Sequence, residues 1–454
     1  MNKKKNMAAD TIDFKSYLDM SIEFFTAPEI IAKAKKGRKI CGLTFPLSEL
    51  IIAGGAVPVF IPRLNKGRRY DVIQTTLQAR NLLGMGNITK GLDFLKKVDS
   101  SGTVLNIAGN LINDIIESLN ETYEDAVTES AELGMPIDHC YGAKALFGLY
   151  NKLGHLLDMN LGIDVRCSVF FNYHEALTIN KLVPNNYIFD MPYEDDQNSI
   201  NFYVEEINDY IEFQERVSGK RFSIDRFRNV LELTNEAKRL LKEFYLGPIS
   251  KGDILPCSPA TFSEMNSLLL YSQIDYNSRL QLYVSQLKAL IQECYDRIDS
   301  TSKRFDATGY PKLIYTPIFG GFEPAIAIMA DGFGARVYYP DWVIYGACEE
   351  VSTKGDIIQN YAENIMTFQH GFAFTNKEMA NNVINVAKKI DADGIVFCEI
   401  FGCRAMSACN RILKDLTRKN DTNIPVTTIT YERMAKGLGQ VKTRLGAFIE
   451  MIKS

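Results

Sequence analysis

The sequence predicts an α/β protein with two parallel-sheet domains joined by a helical connector. Three observations carry that prediction. "GRKICGLTF", "PLSELIIAGGA" and "VPVFIP" read in order as strand, amphipathic helix and strand, which is a βαβ unit. "PKLIYTPIFGGFEPAIAIMADGFGARVYYPDW", from Pro311, repeats the plan of strand, glycine loop, helix and strand. Between the two, from about Asn198 to Arg304, apolar residues recur at three- and four-residue intervals with almost no strand signal, so helices dominate.

Element by element, residues 1–37 form an N-terminal helical segment and residues 38–200 the first α/β domain. Pro46 fixes the start of its first helix and Gly54-Gly55 the end. A helical insertion runs over about 66–133 and closes on "TYEDAVTESAELG", with Gly134 as a stop before the "MPIDHC" loop. "AKALFGLYNKLGHLL" is the next helix. "GIDVRCSVFFN" follows, and its block of Val165, Cys167, Val169, Phe170 and Phe171 is expected to be a buried parallel strand. "NYIFDMPYE" gives another strand ending at Pro192. In the connector, 201–305, Ser223 caps "SIDRFRNVLELTNEAKRLLKEF" and a second helix covers "SRLQLYVSQLKALIQECYDRI". The second α/β domain, 306–454, adds strands at "GIVFCEIFG" and "IPVTTIT" and a closing helix at "LGQVKTRLGAFIEMI".

Composition excludes several function classes. A chain of 454 residues with 51 basic and 55 acidic side chains has a formal charge of -4, which offers no general field for nucleic acid or anionic membrane. The basic start "MNKKK" leads to Asp10, Asp13 and Asp19 rather than to an apolar signal core, and "ELIIAGGAVPVFIP" is too short to span a bilayer. A cytoplasmic protein without nucleic-acid or membrane partners is expected. Nine cysteines, an odd number without framework spacing, point to reduced thiols or metal ligands rather than disulfides.

No HExxH, CxxC or GxSxG spacing is present, and the glycine loop "PIFGGFEPAI" lacks the GxGxxG of a dinucleotide site, so it reads as an ordinary tight turn. Cys398, Cys403 and Cys409 match no contiguous ferredoxin arrangement. Cys140, Cys167 and Cys403, in contrast, fall near strand ends or loops of different βα units, where distant residues can converge, and gathered thiolates favour iron–sulfur or zinc binding. Cys398 within its strand and Cys409 on the following helix read as structural thiols, as do Cys41, Cys257, Cys294 and Cys348. His139 adjoins Cys140, and His174 follows "VFFNY".

These segments carry a resemblance over most of the chain. "KICGLTFPLSELIIAGGAVPVFI", "PIDHCYGAKALFG", "SGKRFSIDRFRNVLELTNEAKRLL" and "ADGIVFCEIFGCRAMS" with "GQVKTRLGAFIEMI" resemble the 2-hydroxyacyl-CoA dehydratase and benzoyl-CoA reductase family, which also includes double-cubane cluster proteins. The resemblance implies two Rossmann-like or flavodoxin-like domains. It also implies a [4Fe-4S] cluster on three cysteines from separate loops, a homologous second subunit, an ATP-dependent iron–sulfur activator and an acyl-CoA or other small-molecule substrate. Cys140 matches the first ligand position and Cys403 the third. At the middle position, where the family has a cysteine after the strand, this sequence has Asn172-Tyr173-His174. Three alternatives stay open there: Cys167 reached through a register shift, His174 as a nitrogen ligand, or a cluster that is altered or absent. Glu49 in "PLSELI" matches an acidic position of the family opening, and a helix-start carboxylate favoured by the dipole is the stronger account of it. The implied functions are radical dehydration or reduction of an acyl-CoA thioester, a double-cubane reduction of small molecules, or a cluster-poor scaffolding subunit of a heterodimer.

Overall fold

The structure, a computed structural model, describes residues 13–25, 27, 37–65, 121–164, 167–192, 194, 196–317, 325–369, 376–419, 424–432 and 437–454. The expected insertion up to residue 120, the glycine loop at 318–324 and most of the N-terminal segment lie outside the described residues.

Helix α1 (Lys15–Phe25) opens the described chain, and its first amides find a remote acceptor: the Glu293 carboxylate takes hydrogen bonds from the Lys15 and Ser16 N–H groups at 3.1 and 2.8 Å. Strand β1 (Ile40–Leu43) follows, then helix α2 (Ser48–Ala53) and strand β2 (Val57–Phe60), which is the βαβ unit read from the sequence. Helix α3 (Tyr141–Leu153) leads to strand β3 (Met159–Ile163), helix α4 (Ser168–Ile179) and strand β4 (Asn186–Phe189).

One expectation is corrected here. The segment from Cys167 onward is not a strand. The strand ends at Ile163, and the run expected to continue it forms α4 from Ser168. A short apolar block carries no period that separates a buried strand from one face of a helix. Within α4, Val169, Tyr173, His174 and Leu177 are buried, a spacing that fits one helical face. The strand itself is hidden because "MNLGI" contains Asn160 and Gly162, both unfavourable in strands. Asn160 is buried and satisfied: its amide donates to Asn186 Oδ1 at 2.8 Å, and its carbonyl accepts from the Tyr150 hydroxyl.

The connector consists of helices α5 (Gln197–Ser218), α6 (Ile224–Leu246), α7 (Pro259–Ser272) and α8 (Leu280–Asp299), with a two-residue antiparallel pair, β5 (Ile254–Leu255) and β6 (Phe305–Asp306). Ser223 is the cap of α6 and accepts from the Arg226 N–H at 3.2 Å. Strand β7 (Lys312–Thr316), helix α9 (Ala325–Gly332), strand β8 (Arg336–Tyr338), helices α10 (Ile357–Gln369) and α11 (Asn376–Lys389), strand β9 (Gly394–Ile400), helix α12 (Arg404–Lys419), strand β10 (Val426–Tyr431) and helix α13 (Leu438–Lys453) complete the chain.

Two parallel sheets result, ordered β2-β1-β3-β4 and β10-β9-β7-β8. Both follow one plan: the first strand is central, the second pairs on one side, and the third and fourth lie on the other. This is the strand order of flavodoxin-like sheets, with a switch point between the first and third strands. Every residue of β1 and β7 is buried, as parallel strands covered on both faces require. One buried apolar cluster runs from Cys41 and Leu43 through the connector's Leu241 and Leu287 to Ile314 and Val396. Among the described residues, no helix is long and apolar enough to cross a membrane.

Candidate functional site

Each switch point ends in a cysteine-bearing loop. Cys167 lies four residues beyond β3 and is the N-cap residue of α4. Cys403 lies three residues beyond β9, at the start of α12. Cys140 is the N-cap residue of α3, the helix that leads into β3. All three thiols therefore sit at helix N-termini, where unsatisfied N–H groups and the helix dipole favour the thiolate. The Gly142 and Ala143 amides serve the Cys140 sulfur, and the Met406 amide serves Cys403.

A glycine brings the two halves into contact. Gly402 has φ +81°, and a Cβ there would lie 2.6 Å from the Asp138 carbonyl oxygen and 3.0 Å from the Cys140 nitrogen. Only a residue without a side chain lets the turn after β9 rest on the loop before α3. The thiols feel one another. Burial pushes Cys403 up to about 12, and the charges of Cys140, Cys167 and Cys398 add to the rise. Burial likewise raises Cys140, with a contribution from Cys167. A buried thiol and a half-buried one that resist ionisation alone, each facing helix-terminal amides, are suited to a cation that neutralises thiolates on binding. Among the described residues, no group of three or more histidine, cysteine or acidic side chains is drawn together tightly enough to cage a metal ion. Three thiols, were they to converge, would be the donors of a soft metal.

His174 is placed elsewhere. It is seven residues into α4 from Cys167, roughly 10 Å along the helix axis, and its ring lies so close against β3 that a Cβ on Gly162 would collide with the imidazole. Tyr173 and Phe170 flank it, with ring centroids at 4.5 and 6.1 Å. Both ring nitrogens are buried without a hydrogen-bond partner, and burial pushes the imidazole down to about 3. The loops that bear Cys140 and Cys403 meet at Gly402 and Cys167 caps α4, whereas His174 lies in the core against β3.

The other candidates have structural surroundings. Cys398 is buried in β9 opposite Ile429. The Cys409 thiol is buried and donates to the Asn376 carbonyl. Glu49, in the first turn of α2, is 2% exposed; Lys238 Nζ of α6 is 3.4 Å from one carboxylate oxygen, and the Tyr361 hydroxyl of α10 donates to the other at 3.1 Å. Sequence reasoning passes over Gly402 and Phe45. The Phe45 ring, two residues after β1, lies 5.5 Å from Phe170 and 6.3 Å from Phe368, so it packs between α4 and α10. The signal for Gly402 is its place between a strand end and a helix start.

The chain is 22% identical over 347 residues to an Escherichia coli (strain K12) protein named as a putative dehydratase subunit, YjiM, covering 74% of this chain and 86% of that one. It is 22% identical over 286 residues to one of the benzoyl-CoA reductase subunits of Thauera aromatica, covering 60% and 69%. Residues 44–452 match the family described as 2-hydroxyglutaryl-CoA dehydratase, D-component. The chain belongs to that family.

Proposed function

We propose that this chain is the iron–sulfur subunit of an enzyme that removes water from a 2-hydroxyacyl-CoA thioester, with Cys140, Cys167 and Cys403 holding a [4Fe-4S] cluster. The observation that supports the reading is that Cys140, Cys167 and Cys403 each stand at a helix N-terminus beside the ends of two like sheets, with Gly402 resting on the loop that bears Cys140. When bound, such a cluster would supply low-potential electron chemistry that no side chain can provide, and three protein ligands leave one metal position open. The protein's own part is to hold the thiolates against helix N-termini, to exclude water by burying the site, and to position the acyl group between the two domains. Net dehydration converts the 2-hydroxyacyl thioester to the 2-enoyl thioester plus water, so electrons are returned rather than consumed and an external donor is needed only to start the cycle. An ATP-dependent iron–sulfur activator fits that role. Reduction of an aromatic thioester uses the same cluster and differs in consuming its electrons.

A homologous second subunit covers the site in this reading. Ile137, Phe171 and Phe401, each within four residues of one of the three thiols, are 86%, 39% and 57% exposed, an apolar rim that supports a covering partner.

Iron and acid-labile sulfide in anaerobically purified protein test the assignment. Cys140→Ser, Cys167→Ala and Cys403→Ser are each expected to lose most of the iron, because serine and alanine are not soft ligands. Cys409→Ser and His174→Ala are expected to retain it. Equal iron in all five variants, or loss in His174→Ala without loss in Cys167→Ala, would remove this ligand set.

A further inference from the structure

Two basic stretches far apart in the sequence, "GRK" before β1 and "GKRFSIDR" between α5 and α6, belong to a chain whose net charge is -4. The fold joins them at the turn that ends α2. Lys220 Nζ donates to the Gly37 carbonyl at 3.2 Å. Arg38, two residues before β1, donates from Nε to the Gly55 carbonyl at 3.2 Å and from Nη2 to the Ala56 carbonyl at 2.9 Å. Arg226, the third residue of α6, donates from Nε to the Ala53 carbonyl and from Nη2 to the Arg221 carbonyl at 3.0 Å. All three side chains gather over Gly55: a Cβ there would lie 3.4 Å from Lys220 Cδ and 3.9 Å from Arg226 Nη1.

Capping the last carbonyl of a helix accounts for Arg226 on Ala53. It does not account for Arg38 and Lys220, whose acceptors lie outside α2. The acids near them in the chain have other partners. Asp158 takes Lys39 Nζ at 3.0 Å and the Ile40 N–H at 2.9 Å, and Glu215 takes Arg221 Nη1 at 3.2 Å and the Phe222 N–H at 2.7 Å. Among the described residues, no carboxylate pairs with Arg38, Lys220 or Arg226. Burial and the charge of Arg226 hold Arg38 below the usual arginine range, so two guanidinium groups face each other without a counter-ion. The carbonyl bonds orient both guanidinium planes and leave Nη1 of each arginine and two hydrogens of the lysine for a further acceptor.

We propose that Arg38, Lys220 and Arg226 form an anion site over Gly55 that takes a phosphate ester or a diphosphate. Guanidinium forks match phosphate oxygens, and three fixed positive charges suit a ligand with more than the single charge of a carboxylate. The site lies at the amino ends of β1 and β2, whereas Cys167 and Cys403 follow the carboxyl ends of their strands, so the inference stands apart from the iron. It gives the molecule a regulatory ligand: an anion bridging the residues before β1 to α6 clamps the end of α2, the helix whose first turn carries Glu49.

Calorimetric titration of the full chain with pyrophosphate, against sulfate at equal ionic strength, tests the site. Pyrophosphate is expected to bind at least tenfold more tightly than sulfate and, at roughly a hundredfold its Kd, to raise the melting temperature by about 2–5 °C. Lys220→Gln and Arg38→Gln are each expected to weaken it about tenfold, and Arg38→Lys, which keeps the charge without the fork, to restore only part of the loss. Lys220 bonds a single backbone carbonyl, so Lys220→Gln is expected to leave the ligand-free melting temperature within about 1 °C, which separates lost binding from lost folding. Cosedimentation with phosphatidylcholine vesicles containing phosphatidic acid, abolished by the same variants, would assign the phosphate to a lipid head group instead of a free ligand. Pyrophosphate that binds no better than sulfate, with no cosedimentation, would overturn the site. So would Lys220→Gln and Arg38→Gln variants that bind pyrophosphate as the wild type does, or a tetraglutamate peptide that binds where pyrophosphate does not.

Discussion

At the scale of single residues, His174 shows how burial decides chemistry. An imidazole enclosed by Phe170, Tyr173 and the face of Gly162 has no water or carboxylate to stabilise a charge, and it is held neutral down to about 3. The unfolded chain takes up a proton near pH 6.5 and the folded chain does not, so the unfolded state binds more protons between those values. Stability is therefore complete above about pH 6.5 and declines as pH falls toward 3, by up to ~1.4 kcal/mol per pH unit from this residue. His174→Leu is expected to flatten the loss of melting temperature between pH 7 and pH 5. A variant with the wild-type pH slope would show that the imidazole is reached by solvent. Nothing in the sequence distinguishes this histidine from a ligand. The distinction comes from two turns of helix that carry it past the thiol site.

At the scale of elements, the decisive feature is the turn from β9 into α12. "GIVFCEIFGCR" is legible as strand, loop and helix start, and it places Cys403 beyond the strand end. What the turn rests on is not legible there: it is the Asp138–Cys140 loop, more than 250 residues earlier. Gly402→Ala requires a positive φ that alanine adopts at a cost of about 1–2 kcal/mol, in addition to a contact with the Asp138 carbonyl oxygen that must open. The expected result is a folded, less stable protein in which Cys403 is displaced from Cys140, with iron retention reduced to the level of Cys403→Ser. Circular dichroism and iron analysis check the two parts separately. Normal iron in a stable Gly402→Ala protein would show that the contact does not set the thiol geometry. The strand expected at Cys167 fails for a related reason. That segment is the first turn of α4, and the true strand, β3, is masked by a buried asparagine whose partners lie on other elements.

At the scale of the whole molecule, the two sheets are held together by a buried polar junction. Glu49 from the first sheet's α2, Lys238 from α6 and Tyr361 from α10 meet with the carboxylate and ammonium almost completely buried. Asn235, one turn before Lys238, bonds the Val351 backbone through both ends of its amide, at 2.7 and 2.8 Å. Removing one partner of a buried pair strands the other, so Lys238→Met is expected to cost about 3–5 kcal/mol in urea unfolding. The Glu49→Gln/Lys238→Met double variant is expected to recover much of it. If the single variant costs less than about 1 kcal/mol, water reaches the pair and the junction is not the clamp described. These contacts also give Glu49 a structural role in joining α2 to α6 and α10.

Local periodicity and the chemistry of single residue types suffice for the α/β class, the βαβ openings of both sheets, the helices between them with the Ser223 cap, and the placement of cysteines near strand ends. They do not say which loops meet, where His174 is buried or what Glu49 contacts. Those outcomes depend on contacts between segments hundreds of residues apart, where a glycine without a Cβ, a carboxylate facing a distant lysine and two sheets of the same strand order fix positions that no local pattern encodes.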